Sequence, residues 1–168
     1  FKSEIENNKL EIINIDVLKV DFPNLITSNN TRIIGNLPYN ISSPLIIKLL
    51  PLISKLQDMV FLLQKEVVDR LAASPNNSSY GRLSIITQYF CDVTPLTHIP
   101  PDAFTPAPKV ESKLVRLSPK ANKYPELNNL ANLEKVTRIA FNQRRKQIKS
   151  SLKSLFTEQQ LIDLEINP

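Results

Sequence analysis

The chain predicts an α/β fold in which strands alternating with helices form a mainly parallel sheet, followed by a small helical domain. Three observations carry this. Short β-branched or apolar runs at Ile12-Ile13-Asn14-Ile15, Thr31-Arg32-Ile33-Ile34 and Met59 to Leu63 are interleaved with a helical stretch, the pattern of βαβ units. The second run leads through Gly35 into Asn36-Leu37-Pro38-Tyr39 and then a helix, so polar and aromatic groups stand at a strand's C-terminal end. Beyond about Ser118-Pro119 the strand pattern stops, and Asn- and Lys-rich connectors join helical segments. Residues 1–117 are therefore expected to form the sheet domain and residues 118–168 the helical one.

Taken in order, Ile12–Ile15 reads as a buried strand ending at Asp16, and Thr31–Ile34 as the next. Ser43 to Leu56 follows as a helix, with Pro44 at its first turn, where proline is welcome. Met59–Leu63 is the third strand. Glu66–Ala73 reads as a short helix closed by the turn-rich Ser74-Pro75-Asn76-Asn77, and Leu83–Phe90 as another helix. Val93–Ile99 and Val110–Leu117 are extended segments joined without a helix, so they should pair antiparallel at a sheet edge. Phe141, Ile148, Leu152 and Leu155 recur at helical spacing, but a single helix would also bring Arg144 or Arg145 onto that apolar face. A break near Asn142 resolves the conflict. Thr157 followed by Gln160 marks the start of a last helix by a capping box.

The 168 residues are 42% hydrophobic, ordinary for a soluble globular chain. One cysteine, Cys91, excludes an internal disulfide and fits a reducing, cytoplasmic setting; with no His or Cys cluster beside it, it reads as a small core residue. No apolar run is long enough to span a bilayer, and no metal-ligand spacing occurs. The net charge of +5 is uneven: Lys135 to Lys153 holds seven basic residues and no acidic one, leaving −2 for the rest. A basic block on a near-neutral body marks either a polyanion partner or a solvated helix face.

The tetrapeptide suits one reaction, methyl transfer to the exocyclic amine of a planar base. That nitrogen is conjugated with its ring and is a poor nucleophile. Two acceptors on its N–H bonds, the Asn36 side-chain oxygen and the Leu37 carbonyl, would hold it so that its lone pair can attack. Pro38 locks its own φ and drives Leu37 toward an extended conformation, aiming that carbonyl by covalent geometry. Tyr39 can stack on the base, as in enzymes that act on extruded bases. The other reading of these four residues is a proline turn with a core tyrosine, and local sequence does not choose between them.

Asn36-Leu37-Pro38-Tyr39-Asn40-Ile41-Ser42 resembles the catalytic motif of the ribosomal RNA adenine dimethyltransferases. Further blocks of that family follow in its order: Gln64-Lys65-Glu66-Val67-Val68, Tyr80-Gly81-Arg82-Leu83-Ser84, Phe104-Thr105-Pro106-Ala107-Pro108-Lys109-Val110 and Ala140-Phe141-Asn142-Gln143-Arg144-Arg145-Lys146. The resemblance implies a class I methyltransferase (Rossmann-like) sheet and N6,N6-dimethylation of two adjacent adenosines near the 3′ end of small-subunit rRNA, with S-adenosylmethionine as methyl donor. It implies Asn36, Leu37, Pro38, Tyr39 and Phe104 as catalytic residues, the Phe104 ring closing over the second face of the base. Asp16 matches the residue that binds the cofactor adenine, although a turn or cap aspartate reads equally well locally. The resemblance also implies that Asn36 lies beside the cofactor as well as the amine. Arg82, Lys109, Arg144, Arg145, Lys146 and Lys149 are the expected RNA contacts, acting on phosphates and so positioning the substrate without reading its sequence. Arg70 and Lys65 are weaker candidates, Ser42 and Ser43 read as caps, and His98 as structural. No general base is required, because the sulfonium methyl is already activated and the proton can leave to solvent. The expected partner is the immature small ribosomal subunit, met in the cytoplasm by a monomer; no membrane or metal is involved.

The chain holds only two glycines, Gly35 and Gly81. A cofactor loop after a first strand needs several, so that backbone N–H groups can approach the ligand. The chain therefore reads as a fragment that starts downstream of that loop, stops short at Ile166-Asn167-Pro168, and is inactive alone. Two rivals stand beside the main reading: a non-catalytic RNA-binding assembly factor, and a large-subunit rRNA adenine methyltransferase. The Arg144-Arg145-Lys146 and Tyr80-Gly81-Arg82 blocks argue against the latter.

Overall fold

The computed structural model describes residues 4–5, 7, 9–120, 129–143 and 146–167. A short helix, α1 (Phe22–Leu25), opens with Asp21 accepting from the Asn24 backbone N–H, and its Phe22 is buried. Thr31–Asn36 (β1) then pairs in parallel with Leu56–Gln64 (β2). Their crossover is α2 (Ser42–Leu49), prolonged as a 3₁₀ helix over Leu50–Lys55. The sequence predicts one helix as far as Leu56. Pro51 explains the change of winding, since it has no N–H to give an α-helical bond and its ring crowds the preceding turn. Leu56 is already strand.

After β2 come α3 (Lys65–Leu71) and α4 (Arg82–Phe90), both at their expected places. Cys91–Ile99 (β3) and Ser112–Pro119 (β4) pair antiparallel, as anticipated. β4 lies between β2 and β3, antiparallel to both, giving the order β1-β2-β4-β3. Met59, Phe61 and Leu63 of β2 and Val115 and Leu117 of β4 are fully buried. They meet Leu45, Ile46 and Leu49 of α2, Val68 and Leu71 of α3 and Ile86 of α4 in one core. Cys91 belongs to it, and burial, with Asp92 adding to it, pushes its thiol up to about 12.

The predicted strand at Ile12–Ile15 does not form. Ile12, Ile13 and Ile15 are 70%, 47% and 51% exposed, and residues 10–14 have no regular structure. An extended apolar run becomes a strand only where a neighbour takes its N–H and C=O groups. Among the described residues β1 pairs with β2 alone, and this run is not paired to its free edge or to any other strand. Asp16 instead caps a 3₁₀ turn over Val17–Lys19, its carboxylate accepting from the Leu18 N–H at 3.0 Å.

Beyond the sheet, α5 (Leu130–Asn142) is capped by the Asn129 side chain, which accepts from Ala131 N–H. It stops at Asn142, where the clash between apolar face and arginines required a break. α6 (Ile148–Leu152) and α7 (Glu158–Asp163) follow, and both bonds of the Thr157–Gln160 capping box are made. α5 lies against α4, with the Tyr80 and Phe141 rings edge to face at 6.1 Å. Among the described residues no helix is long and apolar enough to cross a membrane.

Candidate active site

Because β1 and β2 run in parallel, Asn36 and Gln64 end their strands at the same edge, where open α/β sheets take their ligands. Asn36 is the last residue of β1 and is exposed. The Leu37 N–H still reaches the Leu62 carbonyl at 3.4 Å, so the chain leaves the sheet only after that bond. The next carbonyls are distinguished by their partners. That of Pro38 accepts from the Ile41 N–H at 3.1 Å, and that of Tyr39 from the Ser42 hydroxyl at 2.9 Å. Among the described residues, the Leu37 carbonyl and the Asn36 side chain take part in no hydrogen bond. Both acceptors named from the sequence are thus open.

Gly35 permits this path. A Cβ there would lie 2.8 Å from Leu37 Cδ2 and 3.2 Å from the buried Phe61 ring. A side chain at position 35 would therefore push on the residue that supplies the carbonyl.

Asn36, Leu37, Pro38 and Tyr39 face Phe104, Pro106 and Pro108 across a cleft of ≈ 320 Å³. That lies at the small end of ligand pockets, suited to one heterocycle. Phe104 is half-buried on the β3–β4 connection, just after a 3₁₀ turn at Pro101–Ala103. Tyr39 is held at both ends: its carbonyl by Ser42, and its hydroxyl by Ser112 Oγ at 2.9 Å. Ser112 is fully buried at the first position of β4, paired in register with Gln64 of β2 and Ile99 of β3. Sequence reasoning missed Ser112. Its only signal was a small polar residue opening an apolar run, and its partner lies 73 residues away.

The other predicted residues are spread more widely. Arg82, on the first turn of α4, has Nη2 3.5 Å from Glu134 Oε1 of α5. Lys109 is exposed near the cleft's proline wall. Lys146 and Lys153 line a cleft of ≈ 430 Å³ with Ser150, Ser151 and Ser154. Lys149 is paired with Glu158 at 3.1 Å. Arg144 and Arg145 lie outside the described residues. Arg70 pairs with Glu66, and Lys65 and Lys113 both hold Asp69, at 3.2 and 2.9 Å. Burial raises the Asp69 carboxyl, but the bonds from Lys113 and Lys65 outweigh it and hold the group below the usual carboxylate range. His98 is exposed with Nε2 3.3 Å from Glu111. Among the described residues no group of three His, Cys, Asp or Glu could hold a metal ion.

The sheet, with a ligand-sized cleft at its parallel strand ends, defines a Rossmann-like α/β domain of the methyltransferase kind. A dimethyladenosine transferase from Plasmodium falciparum superposes with a TM-score of 0.76 at 33% identity, over 98% of this chain and 57% of that one. The 23S rRNA methyltransferase ErmE superposes at 0.68 and 19% identity, over 99% of this chain and 67% of that one, and shares the fold. The family model described as ribosomal RNA adenine dimethylase matches residues 1–167. The ribosomal RNA small subunit methyltransferase A of Yersinia enterocolitica is 48% identical over 163 residues, and that of Vibrio vulnificus 50% over 162. Each match takes in 96% of this chain and 60% of the relative. The chain belongs to the ribosomal RNA adenine dimethylase family, and it spans about 60% of the length of these curated relatives.

Proposed function

We propose that the protein takes part in S-adenosylmethionine-dependent N6,N6-dimethylation of two adjacent adenosines in small-subunit rRNA during ribosome maturation. One observation carries the reading: the Asn36 side chain and the Leu37 carbonyl are open acceptors beside a base-sized cleft walled by Tyr39 and Phe104. An adenine ring held between Tyr39 and Phe104 directs its amine at those acceptors. Asn36 and the Leu37 carbonyl accept from its two N–H bonds and draw its lone pair out of conjugation. The lone pair is left open to the methyl group that a bound cofactor would supply, the S–C bond giving way to the N–C bond and the thioether departing. Positioning and electrostatics supply most of the acceleration, and the displaced proton passes to solvent.

The cofactor supplies an activated methyl group when bound. Asp16 fits the adenine end of such a ligand, since its Oδ1 takes the Leu18 N–H and its second oxygen accepts no hydrogen bond among the described residues. Residues 118–168 serve as the RNA-binding domain, and Lys146 and Lys153, beside three serine hydroxyls, form a phosphate track there. The partner is the immature small subunit, met in the cytoplasm by a monomer.

The test is transfer of labelled methyl from S-adenosylmethionine to immature small subunits, by this chain and by a form extended to its relatives' length. Asn36→Ala in the extended form should lower transfer by about 10²-fold, as loss of one preorganised polar contact does, while subunit binding holds within about twofold. Binding with no transfer by the unsubstituted extended form would replace this reading with that of an assembly factor.

A further inference from the structure

A second cleft lies between α2, the start of α4 and Phe141, and its construction begins with Ser84. That hydroxyl accepts from the Gly81 N–H at 3.1 Å and donates to the Arg70 carbonyl at 2.5 Å, tying the start of α4 to α3. The tie presents Arg82 and Arg70 to one cavity of ≈ 590 Å³, walled also by Ser43 and Ile47 of α2, Ser79, and Phe141 of α5. Arg70 is engaged by Glu66. Arg82 is held loosely: its Nη2 is 3.5 Å from Glu134, well beyond a charge-assisted hydrogen bond, and its Nε is buried with no partner. The buried Nε is out of a ligand's reach, but the Arg82 side chain is 39% exposed, lines this cavity, and carries among the described residues no contact shorter than that ion pair.

The chemistry names an acceptor for its outer end. A phosphodiester carries two exposed oxygens on one phosphorus, which the paired Nη groups at the end of a guanidinium can hold together. Phe141 and Ile47 add a flat apolar wall of the kind on which unpaired bases stack. Ser43, on the wall of this cleft, comes four residues after Tyr39, on the wall of the other.

We propose that this cleft is a second nucleotide subsite. It holds the nucleotide next to the target adenosine, with the phosphodiester on the outer Nη groups of Arg82 and the base against Phe141. The inference rests on the RNA reading above and deepens it.

The experiment measures affinity of the 168-residue chain for a single-stranded octaribonucleotide with two adjacent adenosines, each phosphodiester being replaced in turn by an uncharged methylphosphonate. One linkage beside the adenosines should cost about tenfold, the size of one charged contact. Arg82→Gln should cost the same and become indifferent to that linkage alone, with the salt slope reduced by about one. Glu134→Gln releases Arg82 and should tighten binding several-fold, an outcome that misfolding cannot imitate. If Arg82→Gln remains as sensitive to that linkage as the unsubstituted chain, or Glu134→Gln leaves affinity unchanged, the subsite is refuted while the RNA function stands. Failure of the unsubstituted chain to bind the unmodified RNA would sink both.

Discussion

The hydrogen bond between Tyr39 and Ser112 carries a sharp prediction, because it ties the wall of the base cleft to the core. Ser112→Ala removes one partner of a bond worth about 1 kcal/mol net, and leaves a half-buried phenol that water can still reach. Tyr39→Phe is the more costly change. It strands the Ser112 hydroxyl at 0% exposure, so about 1–3 kcal/mol should be lost. The double variant has neither the bond nor a stranded partner, because an apolar pair replaces it. The two changes should therefore fall short of additivity by about 1 kcal/mol, roughly fivefold in the unfolding constant. Urea unfolding of the four proteins measures the coupling. A parallel titration with an RNA carrying 2-aminopurine at the target position reads the stacking of Tyr39 directly, and Ser112→Ala should weaken the quenching without abolishing binding. Additivity within about 0.3 kcal/mol, together with unaltered quenching, would show that Ser112 does not position the ring.

Gly35→Ala should destabilise the fold by about 1 kcal/mol. Overpacking against Leu37 and Phe61 outweighs the stiffening of the unfolded chain. It should also weaken binding of the 2-aminopurine RNA, since Leu37 must shift; a more stable variant with unchanged binding would refute the close approach. Asp69 makes a pH prediction. Its folded carboxyl is held below the unfolded value by Lys113 and Lys65 despite burial, so its contribution is full above the unfolded carboxylate range. That contribution fades as pH falls through the folded value. Acid unfolding followed by circular dichroism should accordingly be less steep below about pH 4 in Asp69→Asn than in the unsubstituted protein.

The chain's own residues settled a good deal in advance, wherever the cause is local. Pro38 constrains its neighbour through covalent geometry, so the end of a strand at Asn36–Tyr39 was legible, whereas the bonds from Ile41 and Ser42 decided which carbonyls would be taken. The break at Asn142 followed from a clash between an apolar face and arginines on one helical period. Thr157 and Gln160 cap a helix within a single turn. Ile12–Ile15 shows where such reasoning stops: its side chains suit a strand, but a strand exists only where it is paired, and among the described residues this run is paired with none. The insertion of β4 between β2 and β3 decided that Ser112 would meet Tyr39 across 73 residues. The docking of α5 on α4 decided that Glu134 would only partly satisfy Arg82. Short-range sterics act on any chain carrying these residues, whereas partners far apart in sequence are chosen only when the whole core packs in one register.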